Sequence, residues 1–211
     1  MSVRARLAEV RERIRRTGRD PDEITIVAVT KGRSLEQCRE ALEAGLGDLG
    51  ENRVQEALPK LEALPAARWH LVGHLQRNKV RLAAGRFALI QSVDSRELAT
   101  EITGRAPGQQ VLLEVNVARE EQKYGCPPEQ AVHLAAEVAG LLPLQGLMCI
   151  GPLNGDPRPA FEELRRLRDE AEQYLGAALP VLSMGMTDDF EAAVAGGSSM
   201  LRLGRLLFEP L

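Results

Sequence analysis

The sequence predicts an α/β fold: a single-domain (β/α)8 barrel over residues 1–211, preceded by an extra N-terminal helix. Three observations predict it. About eight short apolar runs alternate with longer amphipathic ones along the chain. Right-handed strand–helix–strand crossovers let that many parallel strands close on themselves. A chain of 211 residues with 44% hydrophobic content is long enough for one full core and describes one domain, not two. An open doubly-wound sheet is the competing fold, but it calls for fewer strands and a glycine-rich turn after the first one, and Thr30-Lys31-Gly32-Arg33 is not such a turn.

The chain opens with a charged helix over 3–16, ended by Thr17-Gly18. The strand candidates are 24–30, 48–50, 70–72, 88–91, 111–115, 144–150, 180–182 and 200–203. Between them, apolar residues recur at helical spacing over 35–44, 54–64, 76–84, 96–105, 128–140, 159–175 and 190–196. Local chemistry marks several ends: Ser34 and Ser95 as N-caps, Pro128 in a first turn, Gly45 and Gly140 at C-termini.

Composition narrows the function. With 27 basic and 30 acidic residues, a net charge of −3 gives no footprint for nucleic acid or an anionic membrane. Arg11, Arg13, Arg15, Arg16 and Arg19 alternate with acidic and apolar neighbours, as on a solvated helix face. Cys38, Cys126 and Cys149 are odd in number and far apart, which argues against a disulfide framework and fits a reducing cytoplasm. Three histidines and three cysteines show no metal-ligand spacing, so no metal is expected. The N-terminus lacks the apolar stretch of a signal peptide, and no run approaches a membrane span.

Chemistry concentrates where strands stop. Val29-Thr30-Lys31 puts an amine at the end of the first strand, where a lysine held away from water and beside cations would have the lowered pKa that Schiff-base chemistry requires. Ser183-Met184-Gly185-Met186 offers a hydroxyl and a glycine amide, and Arg202-Leu203-Gly204-Arg205 a second close backbone approach; both suit an anion, and both also read as turns that only satisfy strand-to-helix geometry. Asn52 in Glu51-Asn52-Arg53, and His74 in Gly73-His74-Leu75-Gln76, add polar groups to the same rim. His74 suits a ligand contact or a cap on the following helix, whereas His70 alternates with apolar neighbours and reads as a core or lining group. Glu114 and Asn116 continue the rim, and Glu120 and Glu121 read as solvated loop charges.

These segments, together with Gly50-Glu51-Asn52-Arg53-Val54-Gln55-Glu56, Trp69-His70-Leu71-Val72-Gly73-His74-Leu75-Gln76-Arg77-Asn78-Lys79, Ser92-Val93-Asp94-Ser95 and Gly146-Leu147-Met148, resemble in order and spacing the pyridoxal 5′-phosphate (PLP) homeostasis protein family, single-domain relatives of the alanine racemase barrel. The resemblance runs nearly end to end. It implies a fold-type III PLP-binding barrel without the C-terminal β-domain, with Lys31 holding the PLP aldehyde as a Schiff base. It also implies that Ser183 and the backbone at Gly204 and Arg205 hold the phosphate, that Gly185 belongs to that cradle, that Arg202 faces the pyridine nitrogen, and that Asn52 and His74 lie near the ring.

A permanent cation at the ring nitrogen disfavours its protonation and weakens the cofactor as an electron sink. Racemases of this fold add a tyrosine base from a further β-domain; the sequence ends at Leu211, and neither Tyr124 nor Tyr174 matches that position. The resulting expectation is a cytoplasmic, monomeric PLP carrier without a catalytic residue, storing PLP and releasing it to apo-enzymes as transient partners, by direct contact or by dissociation. The alternatives are a PLP-dependent amino-acid racemase or lyase of low activity and a cofactor-free Schiff-base aldolase. One departure from the family stands out: Glu209 replaces the usual glycine after the last phenylalanine, in a short tail, and is expected to point outward.

Overall fold

A computed structural model describes residues 2–209. The ends of the 1–211 range, Met1 and the tail residues Pro210 and Leu211, lie outside the described residues. Eight parallel strands close into a barrel in chain order: β1 (Thr25–Val29), β2 (Asp48–Glu51), β3 (Arg68–Leu71), β4 (Leu89–Val93), β5 (Val111–Glu114), β6 (Leu144–Met148), β7 (Val181–Ser183) and β8 (Met200–Leu203). The ring closes where Thr25–Ala28 of β1 pair with Met200–Leu203 of β8. The helices are α1 (Val3–Arg16), α2 (Leu35–Glu43), α3 (Val54–Ala63), α4 (Val80–Ala83), α5 (Arg96–Thr103), α6 (Pro128–Ala139), α7 (Arg158–Leu175), α8 (Phe190–Ala195) and α9 (Arg205–Phe208).

The strand period of two sorts side chains into two cores. Ile26, Ala28, Leu49 and Leu71 face the helices in one large cluster, while Val27, Val29, Val72, Leu89, Leu112, Met148 and Met200 fill the lumen in a second. The lumen is therefore a packed interior, and the functional end is its C-terminal mouth. The extra helix α1 lies beside α2, α8 and α9 over the β8–β1 seam. Its stripe Val3, Leu7, Val10 and Ile14 is buried. Ionic contacts fix its rotation: the Val3 N–H donates to Glu40 Oε1 at 2.9 Å, and Arg13 donates to Glu191 at 2.8 Å.

Ser34 and Ser95 cap α2 and α5 as expected, the first within a reciprocal capping box with Gln37. Two elements differ. The helix expected over 76–84 is a 3-10 turn (Arg77–Lys79) followed by a single turn, α4, because 76–79 presents four consecutive polar residues and no apolar face for a barrel to bury. The short α9 escapes detection because four residues complete barely one helical period.

Candidate functional site

Five inward-facing polar side chains form one run across the apolar lumen. Arg202 of β8, almost wholly buried, donates from one terminal nitrogen to the Ser183 carbonyl at 2.8 Å and hydroxyl at 2.7 Å, and from the other to the Cys149 carbonyl at 2.7 Å. The Ser183 hydroxyl donates onward to Gln91 Oε1 at 2.6 Å. The Gln91 amide then faces His70 Nδ1 at 2.9 Å, and His70 Nε2 lies 2.9 Å from Asp48 Oδ1. Because guanidinium can only donate, it fixes the direction of the whole run: Nδ1 of His70 accepts from Gln91, and the ring proton sits on Nε2 toward Asp48. His70 is the lining group its alternation predicted. Gln91 was missed because an apolar-run reading treats glutamine as the end of a strand, although its place two residues after Leu89 puts it on the lumen face.

Burial pushes the Arg202 guanidinium down from its ordinary pKa, and the charges of Glu114 and Asp189 oppose that shift. Three of its five N–H donors are engaged, leaving two. Ser183 is fully buried, and its single proton is directed at Gln91. Gly185 is held at φ +98°, and a Cβ there would lie 2.6 Å from the Ala193 Cβ, so this glycine has a packing reason in the tight turn between β7 and α8. The N–H groups of Gly204 and Arg205 meet no acceptor among the described residues, whereas the Arg205 side chain pairs with Asp188 at the surface.

At the exit of the adjoining strand β1, Lys31 lies two residues beyond the lumen residue Val29. The Lys31 side chain is exposed, as a lysine at a strand end usually is, and is not withdrawn from water. The cause is local: β1 stops at Val29, and residues 31–32 form a turn closed by the Arg33 N–H on the Thr30 carbonyl at 2.9 Å, which sets the lysine on the lip of the mouth. The backbone leading into it is held from behind. Lys60 of α3 donates to the Thr30 carbonyl at 2.7 Å and to the buried Glu51 carboxylate at 2.6 Å, and the Thr30 hydroxyl donates to the same oxygen at 2.6 Å. Of this triad only Glu51 was read, as part of the polar rim, and Lys60 was missed; the strand period, which turns Gly50 inward and Glu51 outward beneath α3, was the signal.

Asn52 follows β2, half-buried, with its backbone against Gly73, where a Cβ would come within 2.3 Å of the Asn52 carbonyl. His74 makes no capping hydrogen bond. Its ring stacks on that of Tyr124 with centroids 3.7 Å apart and planes 8° from parallel, and its Nδ1 lies 3.5 Å from Asp94. Glu114, the last residue of β5, is buried, and desolvation raises it to about 7, with Arg202 opposing the shift and Asp94 adding to it. Glu209 is half-buried and pairs with Arg33, which also lies over the Phe208 ring. Glu120, read as a solvated charge, instead accepts from the Leu153 N–H at 3.0 Å and pairs with Lys123 at 3.0 Å. The three cysteines are free and buried. No helix is long and apolar enough to cross a membrane among the described residues.

Residues 3–210 match the family described as alanine racemase, N-terminal domain. The pyridoxal phosphate homeostasis protein of Aquifex aeolicus is 43% identical, over 99% of this chain and 98% of that protein, and the one from Escherichia coli K12 is 36% identical over 96% and 94%. Among solved structures, PipY of Synechococcus elongatus with PLP bound is 34% identical with a TM-score of 0.85, covering 98% of this chain and 100% of that one. An alanine racemase from Clostridium difficile, 14% identical, shares the fold with a TM-score of 0.75, and the match spans 60% of that longer chain. The order of motifs, the closed barrel and the near-complete overlap with these relatives agree: the chain belongs to the pyridoxal phosphate homeostasis protein family.

Proposed function

We propose that this protein binds PLP on Lys31 at the barrel mouth and serves intracellular PLP homeostasis, storing the cofactor and releasing it to apo-enzymes, as a cytoplasmic monomer. The observation that carries the reading is the pairing of an accessible lysine at the β1 exit with a guanidinium fixed in the wall at β8 that keeps two N–H donors unengaged. These residues fit a phosphorylated pyridine aldehyde. Lys31 supplies the amine, Arg202 donors for the ring nitrogen, and the Gly204 and Arg205 amides donors for the phosphate, with Gly185 closing the turn beside them. Asn52 and His74 flank the ring from the β2 and β3 exits. Ser183 reaches a phosphate oxygen only by turning its proton away from Gln91. PipY, solved with PLP bound, supports PLP as the ligand.

Bound PLP supplies an aldehyde that condenses with the amine of Lys31. The chain's own residues then decide how far chemistry goes. Arg202 would donate to the ring nitrogen and keep a proton off it, which would disfavour carbanion formation. Tyr174 is exposed late in α7, and Tyr124 reaches the mouth with its ring committed to the stack on His74. We therefore read the protein as a carrier without a catalytic residue.

The test is delivery. Protein incubated with PLP and freed of excess should show a new absorbance band and restore activity to an apo-enzyme, while showing no α-deuterium exchange with alanine or serine. Absence of uptake removes the proposal; exchange at a rate matching turnover favours the racemase or lyase.

A further inference from the structure

Three polar atoms on the β3–β5 side of the mouth are buried without a hydrogen-bond partner: His74 Nδ1, Glu114 Oε2 and Asn116 Oδ1. Buried polar atoms are nearly always satisfied, so three orphans at the β3 and β5 exits, on either side of β4, call for an occupant. Asn116 Oδ1 is identified as oxygen because the amide nitrogen donates to the Glu120 and Lys123 carbonyls at 2.9 and 3.3 Å. Glu114 accepts whenever it is ionised, whereas His74 Nδ1 faces the Asp94 carboxylate at 3.5 Å and holds its ring proton toward it, positioning that carboxylate. Asp94, 3.5 Å from His74, adds a second carboxylate.

The set is rich in acceptors and poor in donors. Arg202, the cation that acts on Glu114, makes its hydrogen bonds to Ser183 and Cys149 instead. A ligand that matches must bring positive charge and several N–H donors, and an ammonium group brings three. A metal ion matches less well, since no group of three or more His, Cys, Asp or Glu able to hold one occurs among the described residues. Burial that lifts Glu114 to about 7 leaves a carboxyl that an arriving cation would ionise.

We propose that Glu114, with Asn116, Asp94 and His74, binds the primary ammonium group of the amine that takes PLP from Lys31, whether a free amino acid or a lysine side chain. This rests on the PLP reading above. The exchange balances without any co-reactant. The ammonium gives one proton to the Glu114 carboxylate, its nitrogen bonds to the aldehyde-derived carbon and passes a second proton to Lys31 Nζ, the bond from that carbon to Nζ breaks, and the proton held by Glu114 returns through water to leave Nζ as an ammonium.

The experiment has a cofactor-free arm and a loaded arm. Cofactor-free protein is titrated with n-butylammonium, and with n-butanol as the neutral control, while amide resonances near Glu114 and Asn116 are followed. The proposal expects saturable shifts with the ammonium only. Glu114→Gln should bind about tenfold or more weakly, as for loss of a charge-assisted hydrogen bond, with partial rescue in Glu114→Asp; the amide spectrum itself reports that each variant is folded. Equal shifts with butanol, or equal affinity in Glu114→Gln, overturn the site. In the loaded arm, butylammonium should accelerate PLP release saturably in wild type and about tenfold less in Glu114→Gln; equal acceleration overturns the assigned role. Failure of wild type to load PLP at all removes the PLP reading, and the cofactor-free titration still decides whether the ammonium site exists.

Discussion

The Arg202 guanidinium donates to both the carbonyl and the hydroxyl of Ser183, at 2.8 and 2.7 Å, so the exits of β7 and β8 are fastened to each other inside the lumen. The contact fixes where the cation sits before any ligand arrives, and a group held in place by its surroundings loses little freedom on binding. It also makes Arg202 the end of a run that begins at Asp48, near the opposite end of the barrel.

Gln91 is the middle of that run. Gln91→Leu leaves the Ser183 hydroxyl without its acceptor and His70 Nδ1 without its donor, and each orphaned buried group costs about 1–3 kcal/mol. We predict a lower urea midpoint and weaker PLP uptake together. Normal uptake in a destabilised variant would show that the run stabilises the barrel without positioning Arg202.

The Lys60–Glu51 pair gives a second prediction. Lys60→Met strands a buried carboxylate, and breaking a buried ion pair costs about 3–5 kcal/mol, so a fall of that order is expected in chemical denaturation. The double variant Lys60→Met/Glu51→Gln should recover part of it. Because Lys60 also holds the Thr30 carbonyl at 2.7 Å, Lys31 should react more slowly with PLP in both variants.

Gly73 is predicted to tolerate no side chain. A Cβ would meet the Asn52 backbone at 2.3 Å, so Gly73→Ala must push the β2 and β3 exits apart. Overpacking of this kind costs about 1–3 kcal/mol, readable as a lowered Tm. Unchanged stability would mean that the two exits move independently.

Glu114 predicts a pH dependence. Its carboxyl is raised from 4.5 to about 7 in the folded chain, so between these values the unfolded chain has lost a proton that the folded one keeps. Stability from this group is therefore highest below pH 4.5, falls as pH rises to about 7, and is flat above. A shift of that size corresponds to about 3 kcal/mol. Glu114→Gln should abolish the fall, which paired urea titrations at acidic and at mildly alkaline pH will show; an identical slope in the variant would refute the assignment.

Much of this was legible in the sequence. All eight strands were placed, with no bound off by more than two residues, because a barrel strand buried on both faces reads as a short apolar run. Lys31, Asn52, His74 and Arg202 were located at the mouth for the same reason. What escaped depended on contacts across the barrel: no local pattern links Gln91 to Ser183, 92 residues away, or Lys60 to the Thr30 carbonyl, 30 away. The exposure of Lys31 was left open by the sequence, because the turn that lifts it onto the lip is set by backbone geometry beyond the strand.

The most direct test of the central claim is to reduce PLP-loaded protein with borohydride, digest it, and map the modified peptide by mass spectrometry. Modification confined to Lys31, and absent from Lys31→Ala, is the predicted result; a cofactor adduct on another lysine, or retained in Lys31→Ala, would contradict it.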